Sequence, residues 1–400
     1  MRPPNRQTAK RSWGAGPTLI FGGLAVWRLL CPEAHADPAV WTLSAEAGSE
    51  YDSNVHRVEV PEGEEPDIAA SPLLRAGSRL RLSWPVDRQR RFRLTAFGGG
   101  KLFLTPEGEG ENVAVLAAEG GYDHRLRERA ATLSLRGSYY DSFSLDPTSS
   151  LAGRTFGLLG AEGAVVLHGA GSHRLTLVAG GRDFRYKPDS DFDWTGDHYG
   201  LLYRTTVWRG DPDQDLDAAA IEVGLSYELE RRGYDGRAFT NHCPGPAADP
   251  TCFVPTALAR ADLHHRAELE VAWTGDRIWS AGYQIEVNDS NSYGQSLVRQ
   301  RIELGLTTET WARVFLTARA ALQLTSFLDP LLLARDVNAQ SFITIDDDNR
   351  DSLSVNLARD ITRTWTAEAR YALYSNEFSE DVSFRRQTVY LGAVYQYGRK

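Results

Sequence analysis

"AELEVAWTGDRIWSAGYQIEV", residues 267–287, alternates on both sides of a single break. Ala267, Leu269, Val271 and Trp273 take turns with Glu268, Glu270, Ala272 and Thr274. Beyond Gly275-Asp276, Trp279, Ala281, Tyr283, Ile285 and Val287 take turns with Ser280, Gly282, Gln284 and Glu286. A period of two sends successive side chains to opposite faces of a pleat, so each run is a β-strand with one apolar and one polar face. Thr-Gly-Asp between them is a compact turn, which makes the pair an antiparallel hairpin. A water-soluble sandwich would show the same alternation, so the connections between hairpins have to separate the two.

The same unit returns along the chain. "LLRAGSRLRLSW" (73–84) sets Leu74, Ala76, Leu80, Leu82 and Trp84 against Arg75, Arg79 and Arg81; "RFRLTAFGGGKL" (91–102) sets Phe92, Leu94 and Ala96 against Arg93, Thr95 and Phe97; "AAIEVGLSYELE" (219–230) sets Ile221, Val223, Leu225, Tyr227 and Leu229 against Glu222, Glu228 and Glu230. Further runs bring the strands to about sixteen, with no helical period and no linker. Short connections (Pro85 to Arg90, Arg125 to Arg129, Gly169 to Ser172, Gly210 to Asp215, Thr274 to Asp276, Thr308 to Trp311, Arg359 to Arg363) alternate with long polar ones at 51–71, 104–112, 143–154, 187–196, 231–259, 288–296, 326–349 and 375–384. A sandwich has no cause to sort its connections this way. A transmembrane barrel has one, since short turns face the periplasm and long loops the outside. The expected fold is all-β: a single antiparallel transmembrane β-barrel of about sixteen strands. Eighteen is the alternative if 231–259 or 326–349 hides a hairpin.

Tryptophan gives a second line of argument. Of ten, Trp13 and Trp27 precede residue 37; Trp41 opens the first strand, and Trp84, Trp208, Trp273, Trp279, Trp311 and Trp365 flank short connections. Only Trp194 lies in a long loop. Indoles favour the headgroup level, so those seven read as an aromatic girdle at the periplasmic rim.

Composition agrees. The chain has 400 residues, a formal charge of -9, 42% hydrophobic residues and 36 glycines, with a mean hydropathy of -0.38. Past residue 36 no run approaches the roughly 18 apolar residues of a membrane-spanning helix, and the acidic balance argues against a nucleic-acid partner. Residues 1–36 have the layout of a secretory signal peptide: Arg2, Arg6, Lys10 and Arg11, then "PTLIFGGLAVW", then Ala34-His35-Ala36. Acylation at Cys31 is the rival reading of that segment. Residues 37–400 then form the barrel and keep two cysteines, Cys243 and Cys252, in "CPGPAADPTC", a loop that an oxidising compartment would close with a disulfide.

Two stretches carry a resemblance. "AEAGSEYDSNVHR" (45–57) is similar to the opening of Gram-negative outer-membrane β-barrels of the porin type that accompany exopolysaccharide export. "TWTAEARYALYSNEFSEDVSFRRQTVYLGAVYQYG" (364–398) resembles their last hairpin. One departure is that the chain ends Tyr397-Gly398-Arg399-Lys400 and not on a terminal Phe. The resemblance implies an outer-membrane channel for a surface polysaccharide, lying among lipid and lipopolysaccharide and served by a periplasmic polysaccharide-export protein. A general diffusion porin and a plugged structural or binding barrel are the alternatives.

Inward positions carry the charges a channel would use. A basic wall is expected from Arg75, Arg79, Arg81, Arg93 and Lys101, and an acidic wall from Glu222, Glu228, Glu230, Glu268, Glu270, Glu286 and Glu303. The two walls form either a charged eyelet or pairs that fill the interior. Phe97, Tyr140, Tyr374 and Tyr390 are the inward rings able to stack on sugars. For catalysis the best set is Asp262, His264 and Glu268 on one face of "DLHHRAE", but no serine is aimed at it, so no enzyme is expected. Asp189, Asp191 and Asp193, and Asp346 to Asp348, lack the spacing of a calcium loop. No metal or cofactor is expected.

Overall fold

A computed structural model describes residues 38–399 apart from 57–59, 62–67, 127–129, 146–154, 188, 211–218, 244–251, 330–350, 376–381 and 384. The expected signal at 1–36 and the aspartates 346–348 lie outside the described residues. Sixteen antiparallel strands close into one barrel, each beside its neighbour in sequence. They are β1 (Val40–Asp52), β2 (Ser71–Pro85), β3 (Arg90–Phe103), β4 (Val113–Leu126), β5 (Ala131–Ser144), β6 (Phe156–His168), β7 (Arg174–Tyr186) and β8 (Trp194–Arg209). The second half comprises β9 (Ala220–Asn241), β10 (Phe253–Thr274), β11 (Arg277–Ser290), β12 (Leu297–Glu309), β13 (Val314–Phe327), β14 (Asp351–Asp360), β15 (Trp365–Ser375) and β16 (Arg385–Arg399). Closure matters physically because it leaves no row of unpaired backbone groups in hydrocarbon.

The seam between β1 and β16 runs in register from Trp41↔Arg399 to Asp52↔Thr388, so both strands have an end on the short-turn rim. Gly48 and Gly392 face each other there. A Cβ on Gly48 would lie 2.4 Å from the Leu391 carbonyl oxygen, and one on Gly392 would lie 2.1 Å from Tyr390 Oη. The Tyr390 ring covers this bare backbone, supplying the contact that two glycines cannot.

Leucines at outward positions of strand after strand, such as Leu74, Leu116, Leu159, Leu225, Leu304 and Leu391, stand open to the surroundings. Water would not tolerate so continuous an apolar surface, whereas lipid does. Trp273 and Trp279 are direct cross-strand partners at the short-turn end of this band. Trp208, Trp311 and Trp365 are exposed at the same end, Trp84 ends β2, and Trp41 meets Tyr397 edge-on at 5.6 Å. Tyr51 and Tyr139, outward and exposed, mark the opposite rim. The molecule is an outer-membrane β-barrel, and the short-turn rim is its periplasmic end.

One expected loop is corrected. Most of 231–259 is strand, because β9 runs to Asn241 and β10 starts at Phe253. The extra length prolongs an existing hairpin beyond the other strand ends and adds no new strand. It is braced by its neighbour: the Asp235 amide donates to the Asp193 carbonyl at 2.9 Å, and Cys243–Cys252 ties its tip with Cα atoms 5.3 Å apart. The Val60–Pro61 and Val382–Ser383 pair is a separate two-residue bridge outside the barrel wall.

Candidate functional site

Strand parity aims the side chains. In-register partners share a face, so the burial of Glu50 and Asp52 on β1 sets the inward side for all sixteen strands. All residues of both expected walls face inward: Arg75, Arg79 and Arg81 on β2; Arg93 and Lys101 on β3; Glu222, Glu228 and Glu230 on β9; Glu268 and Glu270 on β10; Glu286 on β11; Glu303 on β12.

The separation of the walls by sign needs correction. Arg75 meets Glu46 at 3.2 Å and Glu50 at 3.4 Å, Lys101 meets Glu50 at 2.8 Å, and Arg93 meets Asp123 at 2.5 Å. On the other side Glu230 takes Arg232 at 2.8 Å and Arg182 at 3.4 Å, Glu270 takes Arg204 at 3.0 Å and Glu303 takes Arg301 at 2.5 Å. Glu228 lies 3.6 Å from Arg266, while Glu286 lies 3.6 Å from both Arg266 and Arg299. A charge drawn out of water takes a counter-ion from its own or a nearby strand, so each wall is largely neutralised in place. These counter-ions were missed one by one, although Glu46, Glu50 and Asp52 share the inward parity of β1 and signalled it.

What stays uncompensated is unevenly placed. Among the described residues Arg79, Arg81, Arg91, Arg125 and Arg174, on β2 to β7, are exposed and inward and form no ion pair; Glu222 and Glu268, on β9 and β10, form none either. Glu119 on β4 and Arg319 on β13 break the segregation, and Arg209, Glu309 and Asp360, at the periplasmic ends of β8, β12 and β14, also face inward without an ion pair among the described residues.

At the periplasmic end the interior opens into a chamber of about 880 Å³, with Arg91 and Arg125 of β3 and β4 on one flank, Glu228, Glu268 and Glu270 of β9 and β10 on the other, and Arg174 of β7 between them. A recess of about 210 Å³ adjoins it and shares Arg136, Glu162 and His198 with it. Arg136 and His198 each lie 3.4 Å from Glu162. Past the recess the rings of Tyr140, Phe156, Phe184 and Trp194 stack in series, with centroids 4.9, 5.4 and 5.5 Å apart. At this outer level Asp52, Arg386, Asp262 and Asn288 are also buried. In the periplasmic turn, burial of Asp87 acts to raise its carboxyl pKa, but hydrogen bonds from the Arg90 side chain and the Gln89 and Arg90 amides outweigh this and hold it below the usual range.

The four inward rings expected to stack on sugar have faces already taken. Phe97 lies under Arg79 at 5.3 Å, Tyr374 under Arg386 at 5.5 Å, Tyr140 against Phe156, and Tyr390 between Arg75 at 5.8 Å and Arg370 at 4.8 Å. The candidate catalytic set is a salt-bridge network. Ser290 Oγ donates to Asp262 at 2.6 Å, and Arg260 grips the same carboxylate at 3.0 and 2.5 Å. Arg232 donates to His264 Nε2 at 2.9 Å, which leaves the Nδ1 proton pointing at Glu286, 3.5 Å away. Glu268 lies two inward positions lower on the strand. In the 187–196 loop, Asp189 caps the Ser190–Phe192 turn and Asp193 accepts from the Tyr186 amide at 2.6 Å. No cluster able to hold a metal occurs among the described residues.

No known family profile matches the chain, and no curated protein matches it in sequence. Among solved structures it is similar to OccAB3 of Acinetobacter baumannii, at 8% identity and a TM-score of 0.44, over 90% of this chain and 99% of that one. It is also similar to the outer membrane protein opdK of Pseudomonas aeruginosa, at 12% identity and 0.41, over 90% and 99%. OmpT of Vibrio cholerae, an outer membrane protein, aligns at 10% identity and 0.38, over 90% and 100%. Likeness this low carries no function across.

Proposed function

We propose that the barrel is an outer-membrane diffusion channel for small water-soluble compounds. The observation that carries this reading is the polar chamber of about 880 Å³, on whose walls several charges form no ion pair among the described residues, with a recess of about 210 Å³ adjoining it. A solute of a few carbon atoms fits such a chamber. At the outer level the Tyr140–Trp194 ring series and the Asp52–Arg386 and Asp262–Arg260 pairs have their partners within the wall, so they offer a passing sugar polymer no free charge or ring. Such a polymer would also find the sugar-stacking rings occupied. The export reading, and with it a periplasmic export protein, therefore ranks second; lipid and lipopolysaccharide around the barrel belong to either reading. Purified protein in planar bilayers should give discrete conductance steps. A strain lacking the gene should lose uptake of small solutes and keep its surface polysaccharide. Loss of the polysaccharide with unchanged uptake would reverse the ranking.

A further inference from the structure

The uncompensated charges do not surround the chamber evenly. On the β3–β4 flank Arg91 and Arg125 reach the water of the chamber with no carboxylate partner among the described residues, and Arg174 of β7 lies between this flank and the acidic one. Their neighbours Arg93, Arg136 and Arg204 differ, being held at 2.5, 3.4 and 3.0 Å by Asp123, Glu162 and Glu270. On the β10 flank Glu268 forms no ion pair among the described residues and lies against Glu270 beside it on the same face, which is paired with Arg204. One flank therefore carries excess positive charge and the other excess negative charge, across a space walled by a low-dielectric barrel that concentrates the field between them.

Resting on the small-solute reading above, we infer that the chamber selects dipolar solutes: compact molecules bearing one anionic and one cationic group, such as ω-amino acids. A solute with only anionic groups gains on the arginine flank and is opposed by Glu268 and Glu270. A solute with only cationic groups meets the reverse. A dipolar solute turned across the chamber satisfies both flanks at once, and because each contact is partly hydrated it is held without being trapped. Arg93 and Arg136 are held to the neighbouring strands by Asp123 and Glu162, whereas Arg204 partly offsets Glu270 and leaves Glu268 as the acid without an ion pair among the described residues.

The test is tracer efflux from proteoliposomes loaded with four probes: arabinose as the neutral sugar, succinate, 1,4-diaminobutane and 4-aminobutanoate, the last three sharing a four-carbon chain. The expected result is 4-aminobutanoate leaving about five-fold faster than either succinate or the diamine, the size of effect expected from one partly screened ion pair. Glu268→Gln should erase its advantage over succinate, and Arg91→Gln with Arg125→Gln should erase its advantage over the diamine. Each variant is scored after its heat-modifiable gel migration shows a folded barrel, and the wild-type ranking decides the matter where a variant does not fold. If arabinose stays trapped, the channel reading itself is wrong. If arabinose escapes but succinate or the diamine keeps pace with 4-aminobutanoate, the channel stands and dipolar selection falls. Survival of the wild-type ranking in both variants would likewise overturn it.

Discussion

Replacing Arg386 with Met should weaken the barrel at its seam. The Arg386 guanidinium grips Asp52 with Nε at 2.9 and 3.0 Å from the two carboxylate oxygens and Nη2 at 2.5 Å, across the junction of last and first strands. Asp52 is 0% exposed and Arg386 3%. Removing one partner of a buried pair leaves the other charge unpaired, which costs about 3–5 kcal/mol. Asp52 retains the Asn54 amide at 3.1 Å, a hydrogen bond contributing about 1 kcal/mol, so the expected loss lies near the lower end, about 3 kcal/mol. The double variant Asp52→Leu, Arg386→Met removes both charges and should lose far less than the two single variants added together, giving a coupling of about 2–3 kcal/mol. Guanidinium-driven unfolding in lipid vesicles, followed by tryptophan fluorescence and gel migration with and without boiling, measures all four members of the cycle. A single Arg386→Met variant within about 1 kcal/mol of the wild type, or additive losses in the double variant, would refute a clasping role for the pair.

The seam glycines should be equally intolerant: Gly48→Val and Gly392→Val would drive a side chain into the Leu391 carbonyl and the Tyr390 ring, and the expected readout is loss of the heat-modifiable folded band, whereas Gly120→Ala, with nothing within 4 Å, should keep it. Reversing Arg79 and Arg81 to Glu places negative charge where two exposed guanidinia form no ion pair among the described residues, so zero-current potentials in salt gradients should shift toward cations; unchanged potentials in a folded barrel would mean that these arginines do not face the conducting path. Cys243→Ser should leave barrel insertion intact, because a bond closing a loop of sequence separation 9 restricts the unfolded chain by roughly 2–3 kcal/mol at the tip of a hairpin outside the membrane. Mass spectrometry of exported protein should find Cys243 and Cys252 joined, and free thiols would contradict the pairing.

Alternation, strand number, facing and the division into short turns and long loops were all legible in the amino-acid order. These are local properties: parity along a strand needs no knowledge of any partner, and lipid on one side against water on the other writes the pattern residue by residue. That is why all twelve expected wall residues point inward. The same logic explains the one misplaced loop. Past the membrane no lipid faces the outer side of a hairpin, so "RRGYDGRAFTN" (231–241) carries no apolar alternation and reads as loop although it is strand, its inner face buried at Gly236 and Ala238. What the linear order could not decide is which charges remain free. Arg370 finds Glu46 at a separation of 324 residues and Arg386 finds Asp52 at 334, contacts that exist only once the barrel has closed. Desolvation inside the closed wall then drives most charges into pairs and leaves a few exposed to the chamber, and that selection belongs to the tertiary structure alone.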